Sequence, residues 1–301
     1  WISNPKYLEM ASPLFAKMDP GKPVPSGHRN SNYTGDGIPI AEKAGALVDY
    51  QSFCIRAMGP GLVGKDGSPI FPRGQMADAM ARSPYAIQID EQGRRYTCEP
   101  SGTRFPAEDS AHLVLLHGST TPYVVFDLNT AKYTAQQAKK QNMGREGGMG
   151  GPARVNLEPD QVQADLEREK FMCKGETVEE LAEKLGVPAE NLTETVRIYN
   201  ESCKNGFDSD CFKEAEYLTG PFYGFMTALN TDGAFGGAQV NENIQAKAKD
   251  GGLVEGLWVP GDFSSSRFIN DGGLKRQIIN DLAWAFSSGF IAGEQAAEYL
   301  K

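Results

Sequence analysis

Histidine is nearly missing, with three in 301 residues, at His28, His112 and His117. None stands in HxxH or HxxxH spacing, which excludes a histidine-based metal site. Cysteine is scarce too. Cys54, Cys98, Cys173, Cys203 and Cys211 give an odd count and no CxxC pair, so neither zinc spacing nor a disulfide framework is indicated. Cys203 and Cys211 are close enough in the chain for a local bridge. Without a secretory signal in these residues, free thiols are the expectation.

Basic charge is in deficit. Thirty Lys and Arg against 39 Asp and Glu leave a net charge of −9. No phosphate-neutralising excess exists, which argues against nucleic acid or an anionic membrane as partner. No apolar run approaches ~18 residues, so no membrane span is expected. Walker and GxSxG motifs are lacking. His117-Gly118-Ser119 therefore does not read as part of a serine hydrolase.

What is present in excess is glycine, 34 of 301 or about 11% against a usual ~7%. The length fits about two domains or one large mixed fold. The chain starts at Trp1 with turn formers (Pro5, Pro13, Pro20, Pro23, Pro25, Gly27) and little periodicity. It reads as a chain entered in mid-fold.

Thr34-Gly35-Asp36-Gly37 is a glycine turn feeding a short helix through Ala46, with Pro39 in its first turn. Residues 85–98 alternate, turn at Glu91-Gln92-Gly93 and return, which predicts a hairpin. Tyr123–Asp127 is an apolar strand. The glycine-dense stretch 142–152 lacks a following Lys-Ser/Thr and reads as a surface or lid loop.

Residues 161–204 are the most helical part of the chain. Thr177-Val178-Glu179-Glu180 is a capping box ahead of Leu181 and Leu185, and Gly186 with Pro188 stops that helix and starts the next. Leu192, Val196 and Tyr199 give the second helix its core face. The acidic residues here favour packing helices over a DNA-reading pair. After a turn at Lys249–Gly252, Leu257-Trp258-Val259-Pro260 is a strand that stops at Gly261-Asp262. A final helix is predicted from about Arg276 to Leu300, with Gly289 and Gly293 making a smooth face for close packing. Strand, Gly-Asp, loop and long helix is an arrangement that sets a carboxylate on a sugar and a helix start on anionic oxygens. An ordinary α/β connection is the alternative.

The chain resembles the flavoprotein subunit family of fumarate reductase and succinate dehydrogenase, in its soluble single-chain branch with urocanate reductases and ketosteroid dehydrogenases. The resemblance is carried by Thr34–Ala46, Gln92–Glu99, Thr177–Lys213, Gly256–Phe263 and Gly289–Tyr299. It implies an α/β fold of mixed α+β character. A discontinuous FAD-binding domain, 1–52 and 216–301, would be interrupted by an α+β capping domain, 53–215. It places Asp36, Ala234, Gly261 and Asp262 on a non-covalent FAD, with Asp262 on the ribityl hydroxyls. Asn280, Asp281 and Leu282 would lie at a helix start beside the flavin ring. The family's opening βαβ unit, with its glycine-rich pyrophosphate fingerprint, is not in this sequence. The expectation is a C-terminal portion with half of its FAD site and weak FAD binding when alone.

The resemblance implies hydride transfer at flavin N5 to or from a C–C bond next to a carbonyl. Departures from the family pattern point away from fumarate. Ala131, beside Lys132, stands where the proton-donating Arg belongs, and the substrate histidines expected near Gln51–Cys54 and Asp232–Gly233 are missing. Arg276 and Arg267 are the candidate substrate cations, and Glu99 with Arg104 the candidate proton relay, surface or salt-bridge roles being the alternatives. Tyr85 and Tyr133 are further proton-donor candidates, with core packing as the alternative. The partners implied are a small unsaturated organic substrate and an electron-donor protein, in the cytoplasm or outside it. A decayed, non-catalytic ligand-binding or interaction domain of the same fold is the second reading.

Overall fold

The computed structural model describes residues 4–11, 34–62, 75–81, 83–99, 113–114, 116–119, 121–142, 158–268 and 281–301. The chain forms two compact units, one of residues 1–57 with 231–301 and one of residues 58–230. The predicted lid loop at 142–152 has all but its first residue outside the described residues.

The 58–230 unit is organised on strand β3 (Tyr123–Asp127). All five of its residues are buried, so both sheet faces are covered. Side chains alternate between the two faces. Val124 and Phe126 join Tyr223 and Phe225 in one cluster, with Ala86 and helices α3 (Gln75–Ala81), α4 (Leu128–Asn142) and α5 (Val162–Arg168) supplying the rest. Tyr123 and Val125 join Phe222 and the Ile87 and Ile89 of strand β2 (Ile87–Ile89) in the other, under helices α6 (Val178–Leu185) and α7 (Ala189–Ser202). Each fully buried large apolar side chain in these layers contributes about 1.5–3 kcal/mol.

Strand β7 (Phe222–Ala238) is the long central partner. It runs antiparallel to β3, Val125 facing Gly224, and antiparallel to β4 (Cys173–Gly175) on its other side. The sheet order is β1-β7-β3-β2, with β1 spanning Val48–Leu62. Two glycines permit close approach. A Cβ on Gly175 would lie 2.5 Å from the Leu181 backbone N, and one on Gly224 2.9 Å from the Val124 carbonyl oxygen.

The capping box forms as read. Thr177 Oγ1 accepts the Glu180 N–H at 3.2 Å. Glu180 Oε2 accepts the N–H of Glu176, one residue earlier than the standard pattern. Gly186 takes φ 76 and closes α6. The 85–98 hairpin forms only in part. Beyond β2 the returning chain makes one bridge, Ile89 to Arg95, because Arg95 and Glu99 turn into a buried ion cluster and β2 pairs with β3 instead.

Two short strands, β5 (Phe207–Asp208) and β6 (Lys213–Glu214), frame a tight loop. Cys98 and Cys211 are disulfide-bonded across 113 residues, which corrects the expectation of free thiols. Sequence proximity pointed to Cys203, but that residue sits in the core cluster under α7 while Cys211 reaches the surface. Cys173 and Cys203 are buried and not disulfide-bonded.

The other unit holds helices α1 (Pro5–Ala11) and α2 (Gly37–Lys43), the hairpin β8 (Gln245–Lys247) with β9 (Leu253–Trp258), a 3-10 turn Gly261–Phe268 and helix α8 (Asp281–Tyr299). Its core gathers Tyr7, Ile38, Ala41, Ala46, Val48, Ala238, Val240, Ala246 and Val259. On α8, Ala292 of the predicted packing face is buried, while among the described residues no atom comes within 4 Å of a Cβ built on Gly289 or Gly293. Phe286 and Phe290 are 77% and 68% exposed.

Candidate functional site

In the unit of residues 1–57 and 231–301, the Gly-Asp turn after β9 is fixed to α8 by its backbone. Pro260 cannot donate to a ladder, so the strand ends and the chain turns at Gly261 with φ 75. The Gly261 N–H donates to Ser288 Oγ at 2.9 Å, and the Gly261 carbonyl accepts from Trp284 Nε1 at 3.0 Å and Ser264 Oγ at 2.8 Å. Asp262 follows and is exposed.

Phe263 is where three segments meet. A Cβ on Gly37 would lie 3.7 Å from the Phe263 ring, and one on Gly237 would collide with the Phe263 backbone and ring, 2.6 Å from its Cδ2. Gly237 also takes φ 141, so glycine is required there twice over. The structure thus brings together Asp36 at the start of α2, the glycines at the end of β7 and the Gly261-Asp262 turn. Asp36 does not cap its helix; its Oδ1 accepts from Thr34 Oγ1 at 2.9 Å.

An FAD can be tested against this set. Among the described residues no atom lies within 4 Å of a Cβ built on Gly261, and the next residue, Asp262, is exposed. Open space and an acceptor together fit the hydroxyls of a ribityl chain. The residues present fit one part of the cofactor.

Of the other residues singled out from sequence, Ala234 lies in β7, Arg267 in the 3-10 turn, and Asp281 and Leu282 open α8; their side chains are outside the described residues. Arg104, Arg276 and Asn280 are outside them altogether.

Glu99 is placed in the 58–230 unit and is 1% exposed. Oε1 accepts the Gln88 N–H at 2.8 Å and Arg95 Nε at 3.1 Å, and Oε2 accepts Lys213 Nζ at 2.8 Å and the Arg95 guanidinium. Arg95 also reaches Asp208 Oδ2 at 2.7 Å and lies over the Tyr199 ring at 5.0 Å. Asp208 Oδ1 accepts the N–H groups of Asp210 and Cys211. Two cations thus face two carboxylates in a water-poor pocket. Burial pushes the Lys213 ammonium below its ordinary range against the pull of Glu99. Burial would raise Asp208, but Arg95 and the two backbone N–H groups outweigh it and hold the carboxyl low.

Sequence reading missed Arg95, Asp208 and Lys213. The one available signal was that each bridged cysteine neighbours a charge, Cys98-Glu99 and Cys211-Phe212-Lys213. Tyr85 and Tyr133 do meet, ring edge to face at 4.7 Å, and burial with the Tyr133 contact pushes Tyr85 up to about 12.

Comparison with known proteins decides the family. The profile of the FAD binding domain family matches residues 30–268, most of the chain. The chain belongs to this family. It is 28% identical over 288 residues to vinyl phenol reductase of Lactiplantibacillus plantarum, covering 92% of this chain and 55% of that protein. It is 27% identical over 262 residues to 3-oxosteroid 1-dehydrogenase of Mycobacterium tuberculosis, covering 77% and 41%. The fold is shared with 3-ketosteroid delta1-dehydrogenase from Sterolibacterium denitrificans, TM-score 0.66 at 19% identity, covering 99% of this chain and 51% of that one. The expected kinship with fumarate reductase and succinate dehydrogenase flavoproteins and the mixed α/β fold are met. The chain spans about half the length of these FAD binding domain relatives.

Proposed function

We propose that the protein carrying this chain is an FAD-dependent oxidoreductase that reduces or desaturates a C–C bond next to a carbonyl, with a substrate other than fumarate. The observation that carries the reading is the Gly261-Asp262 turn, which lies inside the family match and is locked onto α8. The relatives' names, a vinyl phenol reductase and a 3-oxosteroid 1-dehydrogenase, support chemistry at carbon–carbon bonds. When bound, FAD supplies a two-electron hydride acceptor or donor at N5.

In this reading residues 1–52 and 216–301 belong to the FAD domain and 53–215 to a cap. Asp262 holds ribityl hydroxyls. Asp36, Ala234 and the α8 start at Asn280, Asp281 and Leu282 line the cofactor. Arg276 and Arg267 orient the substrate's polarised oxygen by charge-assisted hydrogen bonds. Glu99, whose two oxygens already accept from Gln88, Arg95 and Lys213, holds its own segment rather than relaying protons. Cys98–Cys211 supports an oxidising, extracytoplasmic setting, where such bonds persist. An electron-donor protein would complete the cycle.

The test uses the whole protein. Purified material should show bound flavin, and photoreduced flavin should be reoxidised by one member of a panel of enones, vinyl arenes and unsaturated acids, fumarate excepted. Asp262→Ala should weaken FAD retention by about tenfold, the loss of one or two good hydrogen bonds. Arg276→Ala should keep the flavin and lower kcat/KM by about 10²-fold. Full-length protein that binds no flavin would end the proposal.

A further inference from the structure

Three ties join residues 95–99 to residues 208–213 in matching order. Arg95 pairs with Asp208, Cys98 is bonded to Cys211, and Glu99 pairs with Lys213. The outer two are ionic with buried carboxylates, and the middle one is covalent with Cys98 at the surface. Phe212 lies between the covalent tie and an ionic one. Its φ is 52, in the left-handed region a β-substituted bulky residue avoids, and its ring is 81% exposed. An exposed ring gains nothing by burial that would offset this backbone conformation. The strain persists only because both neighbours are anchored, Cys211 by its bond and Lys213 by Glu99 and the Pro84 carbonyl.

We propose that Cys98–Cys211 is a redox-operated clasp, closed in the oxidised protein and released by an external dithiol, that controls the order of the Phe207–Glu214 loop. Cys173 and Cys203 are buried and not disulfide-bonded, and the reductant in this proposal is an external dithiol. A thiolate of the dithiol attacks the exposed Cys98 sulfur. The bond to Cys211 breaks, and Cys211 leaves as a thiolate and takes up a proton. The second thiol of the dithiol then displaces Cys98, which is protonated in turn, and the dithiol departs as a cyclic disulfide. Two electrons and two protons have moved to the protein. With the middle tie gone, Phe212 relaxes to negative φ, and residues 209–212 lose their covalent anchor. The loop is then held at its two ends, by the Asp208 and Lys213 ion pairs and hydrogen bonds and the two-residue pairing of β5 with β6, while its tip opens to water.

Hydrogen exchange followed by mass spectrometry, on the whole protein before and after dithiothreitol, tests this. Without reductant, alkylation should leave Cys98 and Cys211 unlabelled. After reduction, peptides covering 95–99 and 207–214 should exchange roughly tenfold faster while β3 and α7 stay within about twofold, and reoxidation should restore the slow rates. Cys98→Ser should reproduce the reduced pattern without any reductant. Labelling of both thiols in untreated protein, unchanged exchange after reduction, or acceleration spread evenly over 58–230 would each overturn the proposal. The last would make the bond a global brace. If the serine variant does not accumulate, the reduced wild-type chain alone decides the question.

Discussion

Glu99 is one carboxylate with four donors aimed at it, and its worth lies in what its removal strands. Lys213→Met leaves Glu99 and Arg95 with an unbalanced carboxylate, and Glu99→Gln leaves Lys213 buried without its counter-charge. Each should lower the unfolding free energy of the 58–230 unit by about 3–5 kcal/mol, read from urea midpoints. Asp208 predicts acid lability with a definite sign. Its folded carboxyl titrates below its unfolded value near ~3.9. Its stabilisation is therefore complete above that value and is lost as pH falls through the lower, folded one. Between about pH 5 and pH 2, Asp208→Asn should flatten the loss of stability that wild-type shows. Little of this cluster was legible in the sequence. Arg95 and Asp208 are 113 residues apart, and no local pattern announces a pairing at that range. The Gly261-Asp262 turn was legible because a strand, a glycine and a helix follow each other directly.

Elements with local causes were read well. Helix α6 has its own start and stop, Thr177 and Gly186, and both perform as their chemistry dictates. Thr177→Ala should cost about 1 kcal/mol, measured by thermal or urea unfolding. Gly175→Ala should cost more, roughly 1–3 kcal/mol, because the new methyl meets backbone at the start of α6 rather than a side chain that can turn aside. The predicted 85–98 hairpin shrank to one bridge because a buried ion cluster claimed its second arm, a tertiary demand invisible to alternation. On α8, glycine spacing records what a helix can pack against, and among the described residues Ala292 is buried while Gly289 and Gly293 have open space beside them.

At the scale of the molecule, the mixed α/β class and the family were legible from motifs spread over most of the chain, and the family match over residues 30–268 bears them out. The cysteine pairing was not, since five cysteines admit many connections and only the fold selects one. That pairing has a mechanical consequence. The bond closes a ring between residues 113 apart in sequence, holding β3, α4, α5, β4, α6, α7 and β5. A chain pulled from its ends cannot pay out the length inside that ring. At about 3.5 Å per residue, nearly 400 Å of contour stays hidden until the bond is cut. In an optical trap the oxidised protein should extend less than the reduced protein by that amount. An unfoldase threading it from the C-terminus would have to pass two segments abreast on reaching Cys211, so degradation should pause at that point in oxidised protein and run through in reduced.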